Sequence, residues 1–565
     1  MEAHVMHELE DCDLVMKGGI TSGVVYPRAI TQLGERYRLR SVGGTSAGAI
    51  AAAVAAAAEY GRQTGAATDL SRVEHVVDDL TREGFLMGLF QPTPGTRPLW
   101  DVLHAAAVPG AAGRRVRRAL GAVLRASRRT AGAGVAAVAA LAVLTALALV
   151  LLETLPGVLA AVLAVLLAGV VAAATVLRAA LRVGREGYAA LRASTFGFCP
   201  GVTQPGSTEP ALMEWLHRHI QACAGLPDDE PLTFAMLERE KVSLEMLTTD
   251  LGFARPVRCR HDLGPYAFRP DELRAYLPEP VIRSMLAAGG SSGGGEDPAA
   301  GELRAMPADD LPVLAAVRLS LSFPGLLSAV PLYRDGARHL FSDGGIASNF
   351  PIHFFDALLP SRPTFGLDLA EYPASGGDPV VLPTDPAQPA QRRWGEVRDG
   401  FDFLVRIKDT MQNWRDTTQA ELPGYRERIC QIRLTREEGG LNLDMDPEAI
   451  ERLVGYGEVA GARLRDGFSF GEHRWIRYIT AMRLLQPVLQ DAATKFDAFE
   501  DQLGAGMPEA RSFRSAYPAE WCAPAREATR SLLGVARGWG PPSEFGFDAE
   551  DGPAPRASLR VGPEC

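Results

Sequence analysis

The order of hydrophobic and polar positions divides the chain into three stretches. In the first, residues 13–16 read as extended, 18–23 as a loop, 24–37 as helical and 39–42 as extended, and an alanine-rich helix begins at Ala47. That alternation of strand and helix predicts an α/β layered sheet. Further extended segments fall at 232–234, 242–249 and 364–369, and residues 312–321 read as a helix. In 242–249, Leu244, Met246 and Thr248 alternate with Ser243, Glu245 and Leu247. After a proline-rich linker at 373–389 the period lengthens, and 394–419, 447–466 and 473–503 read as long helices. The last residues, 538–565, are rich in Gly and Pro and are expected to be disordered.

The middle stretch has no period because it is apolar all round. Residues 135–152 are 18 consecutive uncharged positions and 155–177 another 23, separated by Glu153 and Thr154. At ~1.5 Å per helical residue the shorter run spans about 27 Å, close to the ~30 Å hydrocarbon core of a bilayer. The pattern predicts a transmembrane hairpin with spans at about 132–152 and 155–177. Seven alanines in the first run keep a second reading open, a helical hairpin buried in a soluble core. A soluble helix normally keeps a polar face, and neither run has one.

Charge sharpens this picture. The chain of 565 residues is 47 % hydrophobic with a formal net charge of −10, which resembles an ordinary acidic soluble protein. Residues 102–192, however, hold eleven Arg, no Lys and two acids (Glu153 and Glu186), a net of +9 that leaves −19 for the remainder. The arginines flank the apolar runs: Arg114, Arg115, Arg117, Arg118, Arg125, Arg128 and Arg129 before them, Arg178, Arg182, Arg185 and Arg192 after. The positive-inside tendency places both flanks in the cytoplasm and the turn at 153–157 on the far side. Arg114, Arg118, Arg125 and Arg129 also share one helical face, so an interfacial helix touching anionic headgroups is the alternative to a pure topology signal. A basic block abutting so hydrophobic a segment argues against nucleic acid as the partner.

Other features narrow the class. The seven cysteines are scattered without a CxxC pair, which argues for a reducing compartment and against zinc or a disulfide scaffold. The acidic N-terminus is not a secretory signal, and Cys565 as the last residue is not a prenylation box. The glycine run at 289–295 has no Lys-Ser/Thr pair after it and reads as a flexible loop. Residues 443–448 resemble the start of a calcium loop, but Ala449 stands where the turn wants Gly; Asp446 as N-cap before Pro447 is the better reading. No metal or cofactor is implied.

Three segments carry candidate chemistry. Gly44-Thr45-Ser46-Ala47-Gly48 joins a strand to a helix, where small neighbours allow a strained turn that presents a serine hydroxyl at the positive end of the helix. Gly18-Gly19-Ile20-Thr21-Ser22-Gly23 can turn backbone N–H groups toward a developing oxyanion, and it fits neither nucleotide-loop pattern. Phe341-Ser342-Asp343-Gly344-Gly345 places an acid at a strand end, fixed by glycines, where it could deprotonate a serine. His353 and His473 are the histidines after Asp343, and a structural role for them is favoured over a triad role.

Together, with Leu247-Thr248-Thr249-Asp250-Leu251 and Arg318-Leu319-Ser320-Leu321-Ser322-Phe323-Pro324, these segments resemble the patatin-like phospholipase family from about residue 13 to 369. The resemblance implies a three-layer α/β/α sandwich and hydrolysis of glycerolipid esters by a Ser–Asp dyad without a catalytic histidine. Carried over by position, it makes Ser46 the nucleophile, Asp343 the base, and the N–H groups of Gly18 and Gly19 part of the oxyanion hole, with Gly44, Gly48, Gly344 and Gly345 as supports. The family pattern has a third glycine and a cation where this chain has Ile20 and Ser22, with Lys17 the neighbouring cation able to compensate.

The expected organisation is a first hydrolase part at 1–110, a basic juxtamembrane helix and hairpin at 111–192, the second hydrolase part at 193–371, a helical region at 390–537 and the tail at 538–565. Two spans return the chain to one side of the membrane, as a dyad of Ser46 and Asp343 requires. The expected function is a membrane-anchored serine acyl hydrolase of lipid esters with its catalytic domain in the cytoplasm. The alternative is a catalytically weak lipid-binding or scaffolding protein, motivated by Ile20 and Ser22.

Overall fold

The computed structural model describes residues 9–19, 21–107, 112–151, 155–289, 302–373, 376–383, 397, 400–435, 438–439, 442–504, 519–539 and 547. Most of the expected tail at 538–565 and of the loop at 289–295, and residues 374, 375 and 384–389 of the linker at 373–389, lie outside them, as does Ile20.

The first strand, β1 (Glu10–Met16), is buried from Cys12 to Met16, so it shows no hydrophobic–polar alternation. A 3₁₀ turn, Ser22–Val25, leads into α1 (Tyr26–Gly34), which has Pro27 in its first turn. This helix is shorter than the helical period suggested, because Tyr37 already opens β2 (Tyr37–Gly44). The alanines of α2 (Ala47–Gln63) let it lie close to its neighbours, and Ala49, Ala52, Ala53 and Ala55 are fully buried.

Next come α3 (Arg97–Ala107), α4 (Ala112–Ala126), α5 (Arg128–Leu151) and α6 (Leu155–Ala193). The chain then passes through β3 (Gly197–Cys199), α7 (Leu212–Ala224), β4 (Ser243–Asp250), β5 (Arg255–Arg258), β6 (Ala267–Phe268) and β7 (Arg304–Ala305). It continues with α8 (Val313–Ser320), β8 (Gly325–Leu327), β9 (Val330–Arg334), β10 (Ala337–Ser342), β11 (Thr364–Glu371) and β12 (Val380–Val381). The C-terminal region supplies α9 (Gly400–Ala420), β13 (Ile429–Leu434), α10 (Pro447–Gly467), α11 (Phe470–Gly504) and α12 (Ala519–Gly538). Residues 232–234 do not form the expected strand: Thr233 makes an isolated bridge to Pro312 and caps a helix, Phe234–Arg239, by accepting from the Met236 N–H. Asp446 caps α10 in the same way, accepting from Ala449 N at 2.7 Å.

The elements form an α/β fold on an eleven-stranded mixed sheet ordered β12-β13-β11-β1-β2-β4-β10-β9-β6-β7, with β5 also on β4. Strands β13, β11, β1, β2 and β4 run parallel, and β10 joins β4 antiparallel with Ser342 opposite Thr249. One face carries the main core, where Leu14, Met16 and Val42 meet α1, α2, α7, α8 and α10. The other face is closed by a smaller cluster of Val15, Phe350, Ile352 and Ile429 with Phe355 and Tyr425, so the expected α/β/α layering is lopsided. The region read as a separate helical unit completes the sheet: β13 pairs with β11 from Gly366–Ile429 to Glu371–Leu434. Its α10 also crosses α1 closely enough that a Cβ on Gly461 would lie 2.7 Å from the Ala29 carbonyl.

The helical insertion leaves and rejoins the α/β body at one neck, where Thr93 N and Thr96 Oγ1 both donate to the Phe198 carbonyl (3.0 and 2.7 Å). α5 and α6 lie side by side, and a Cβ on Gly134 would come within 2.3 Å of Thr175 Cγ2. The far part of α6 is covered, with Ala179 and Val183 buried and Gly187 against Leu99. Its earlier part is bare: Leu163, Val165 and Leu166 are 61 %, 66 % and 62 % exposed. Among the described residues one helical segment, Val162–Ala193, is long and apolar enough to cross a bilayer, with a mean hydropathy of 2.3; Gly132–Ala146 is apolar but shorter. On α4 the apolar residues Ala122 and Val123 are buried within the protein, while Arg114, Arg117, Arg118 and Arg125 stay exposed.

Candidate active site

β2 delivers the chain to Ser46, which stands just before α2 with φ 57° and ψ −129°. A non-glycine residue in this region is strained, and such strain persists only where its surroundings enforce it. Here they do. A Cβ on Gly44 would lie 2.4 Å from the Gly48 carbonyl, and one on Gly48 would lie 2.2 Å from the Met16 carbonyl, so both positions need glycine. Thr45 Oγ1 donates to the Ser348 carbonyl at 2.9 Å and Ser46 N donates to Ser320 Oγ at 3.2 Å, fixing the turn from two sides.

Asp343 sits where β10 ends, beside the C-terminal end of β4. Thr248 Oγ1 donates to the Ser342 carbonyl and Thr249 Oγ1 to the Asp343 carbonyl, at 2.8 and 2.9 Å, while Asp343 N donates to the Ser322 carbonyl at 3.0 Å. The Ser322 segment is held in turn by Arg318, which is fully buried with no carboxylate partner among the described residues and donates to Pro200 O, Ser322 Oγ and Ser328 O. Burial pushes the Arg318 pKa down to about 10. One helix end thus anchors both halves of the site, Ser320 beneath Ser46 and Ser322 beneath Asp343. Gly344 belongs to this packing, since a Cβ there would lie 2.0 Å from the Leu247 carbonyl.

The structure brings Ser46 and Asp343 together, both nearly sealed from solvent at 4 % and 1 % exposure. Burial pushes the Asp343 pKa up to about 7, against the opposing pull of the Ser46 side chain and the Gly345 N–H. Asp343 Oδ1 accepts from Gly345 N at 2.8 Å. Oδ2 has no hydrogen bond of ordinary geometry, so the contact with Ser46 is close but loose, as unliganded sites often are. Desolvation thereby brings a group whose ordinary pKa is ~3.9 into the range of a useful base near neutrality.

The glycine loop lies against the serine, with the Cβ position of Gly18 falling 2.9 Å from Ser46 Cβ. Its donors differ from expectation. Gly18 N donates to the Asn349 carbonyl at 2.9 Å and is not free for an oxyanion in this conformation. The N–H groups of Gly19 and of Ala47, first in α2, donate to nothing among the described residues. Lys17 does not compensate for the missing cation: its ammonium is held by Asp368 Oδ1 (2.7 Å) and the Leu369 carbonyl (2.9 Å). Neither ring nitrogen of His353 has a hydrogen-bond partner among the described residues, and burial with the charges of Arg415 and Arg258 pushes its pKa down to about 4. His473 packs between Phe468 and Phe470, away from the site.

Beside Ser46 an apolar cavity opens, walled by Thr21 of the glycine loop, Ala47 and Ile50 of α2, Phe323, and Leu86 and Phe90 from the segment leading into the helical insertion. No local motif marks it, because its wall comes from six separated stretches of chain. Nor did any motif mark Asn349, Gln412, Asn413 and Asp416 as neighbours of the site.

The site thus sets a strained serine on a strand-to-helix turn beside a desolvated acid, next to an apolar cavity. The patatin-like phospholipase family model matches residues 14–121 of the chain. The RpoH suppressor of Rhizobium meliloti (strain 1021) is 33 % identical over 657 residues, spanning 98 % of this chain and 98 % of that protein. The chain belongs to the patatin-like phospholipase family, whose members point to lipid hydrolysis.

Proposed function

We propose that the protein is a membrane-anchored serine hydrolase of glycerolipid esters. The reading rests on one observation, the sealed pair of Ser46 at φ 57° and Asp343 with its pKa near 7. Ionised Asp343 accepts the Ser46 hydroxyl proton as Oγ attacks the ester carbonyl carbon, and the carbonyl electron pair moves onto oxygen. The N–H groups of Gly19 and Ala47 are the donors in reach of that oxyanion. Collapse of the intermediate expels the alcohol, which takes the proton from Asp343 and leaves an acyl-Ser46. Water then repeats the sequence, giving its proton to Asp343 and releasing the fatty acid. The cavity beside Ala47 suits an acyl chain, since its walls are almost wholly apolar.

The bare faces of α5 and α6 support a two-span hairpin that anchors this site at the cytoplasmic leaflet, between the two parts of the hydrolase domain. Anchoring raises the effective concentration of substrate without changing the chemistry. A second reading, a lipid-binding scaffold of low activity, is favoured by the engaged Gly18 N–H and Lys17 ammonium. One experiment separates them. Purified in detergent, the protein is expected to label with a fluorophosphonate at Ser46 and to hydrolyse a short-chain chromogenic ester, and Ser46→Ala is expected to abolish both. Wild-type hydrolysis by Ser46→Ala would overturn the enzyme reading, and absence of labelling in the wild type would establish the scaffold.

A further inference from the structure

The loop that follows Asp343 touches every part of the site. Asp343 Oδ1 is bonded by Gly345 N, Thr45 Oγ1 donates to the Ser348 carbonyl, and Gly18 N donates to the Asn349 carbonyl. Base, nucleophile turn and glycine loop are therefore set by residues 345–349. What sets that loop comes from 67 or so residues further along, on α9 in the C-terminal region. Asp416, only 3 % exposed, accepts from Ser348 Oγ at 3.0 Å and, through Oδ2, from the backbone N–H groups of Asn349 (2.7 Å) and Phe350 (2.8 Å). One turn earlier, Gln412 Nε2 donates to the Gly345 carbonyl at 2.6 Å, and Asn349 Nδ2 donates to Asn413 Oδ1 at 3.2 Å.

We infer that α9 is a positioning element of the active site, with Asp416 its anchor and Gln412 its direct hold on the turn that carries the catalytic base. The inference rests on the Ser46–Asp343 reading and extends it to a helix outside the span that resembles other family members. Physically, a buried carboxylate accepting three donors at once fixes three consecutive residues, and its ionic character strengthens each bond. An asparagine would keep the partners but not the charge, since its oxygen can accept from the two N–H groups while its NH₂ donates to Ser348 Oγ, so removal of the whole group is what frees the loop. Burial pushes the Asp416 carboxyl pKa up, and the Phe350, Ser348 and Asn349 donors, with the charge of Lys17, draw it back. Gln412 acts by another route: pulling on the Gly345 carbonyl orients the Gly345 N–H that holds Asp343 Oδ1.

The test is steady-state kinetics of the full chain in detergent on a soluble short-chain ester, across pH 5–9. Asp416→Ala is expected to lower kcat by ~10- to 100-fold, the scale of a misplacement of about 1 Å, with KM little changed. Gln412→Ala is expected to lower kcat by ~2- to 10-fold, the worth of one hydrogen bond. Both are expected to move the acid limb of the rate profile to higher pH, because a loosened Gly345 N–H stabilises ionised Asp343 less. A purely structural contribution would reduce the folded fraction without moving that limb. If Asp416→Ala fails to fold, the partly buried Gln412 supplies the decisive variant. Rates within twofold of wild type with an unmoved acid limb in Gln412→Ala would overturn the inference, while loss of activity in Ser46→Ala alongside that result would leave the dyad reading standing.

Discussion

The α/β body and the helical insertion are both rich in Ala, Val and Leu, yet they use these residues in opposite ways. In the body, α2 sinks its alanines into the core, and Val42, Leu14 and Leu367 are fully buried. In the insertion, Leu163, Val165, Leu166 and Val170 all lie more than half exposed. Burial of apolar surface is worth roughly 25 cal/mol per Å², so a bare helix of this composition in water forfeits most of what the body gains. The comparison teaches that the body hides its apolar residues within the protein while the insertion leaves them bare, as the proposed membrane anchor requires, with the Phe198 neck joining the two regimes.

The largest effect is expected from removing the chemistry while leaving both regimes intact. Asp343→Asn should reduce ester hydrolysis by ~10³- to 10⁴-fold, as loss of a catalytic acid or base does in other serine hydrolases, while the protein still sediments with membranes. Hydrolysis near wild-type rate would show that Asp343 is not the base. In the wild type the rate should fall as pH drops through about 7, because the base must be ionised and burial has raised its pKa to that value.

A second substitution breaks the other side of the comparison. Leu163→Arg with Leu166→Arg places two charges on the bare face of α6, each costing ~2.5–3.5 kcal/mol at the centre of a span. Membrane association should be lost or topology disturbed, measured by carbonate extraction, whereas hydrolysis of a soluble ester in detergent should persist. Unaltered extraction would mean that α6 lies against protein rather than lipid.

How much of this was legible in the sequence follows the same division. Ser46, Asp343 and their glycines could be read locally, because close backbone approach forbids any side chain at Gly44, Gly48 and Gly344 and leaves a signature within five residues. The apolar character of the insertion could be read because it is a matter of composition alone. What could not be read is assembled at long range. The engagement of Gly18 N by Asn349 depends on a contact 331 residues away, and Asp416 reaches Asn349 across 67 residues from a helix whose pattern is that of any amphipathic segment. The addition of β13 to the sheet was hidden for another reason: Ile429–Leu434 is six residues long and sits between helices, where a short apolar run carries no period of its own.

The smallest effect concerns stability, and it sharpens the contrast between a site built for chemistry and a core built for burial. The carboxyl of Asp343 has its folded pKa raised from 3.8 to about 7. Below the unfolded value both states hold the proton, and no penalty arises. Between the two values the unfolded chain releases it while the folded site retains it, so the wild type loses stability as pH rises through this window and the loss levels off above it. Asn mimics the protonated acid in shape and carries no charge at any pH. Asp343→Asn should therefore melt with the wild type near pH 4 and a few degrees above it at pH 8, a difference read by thermal unfolding in one detergent. A difference that is flat with pH would place the charge of Asp343 in a solvated environment, and the base would then lack the desolvation on which its reactivity depends.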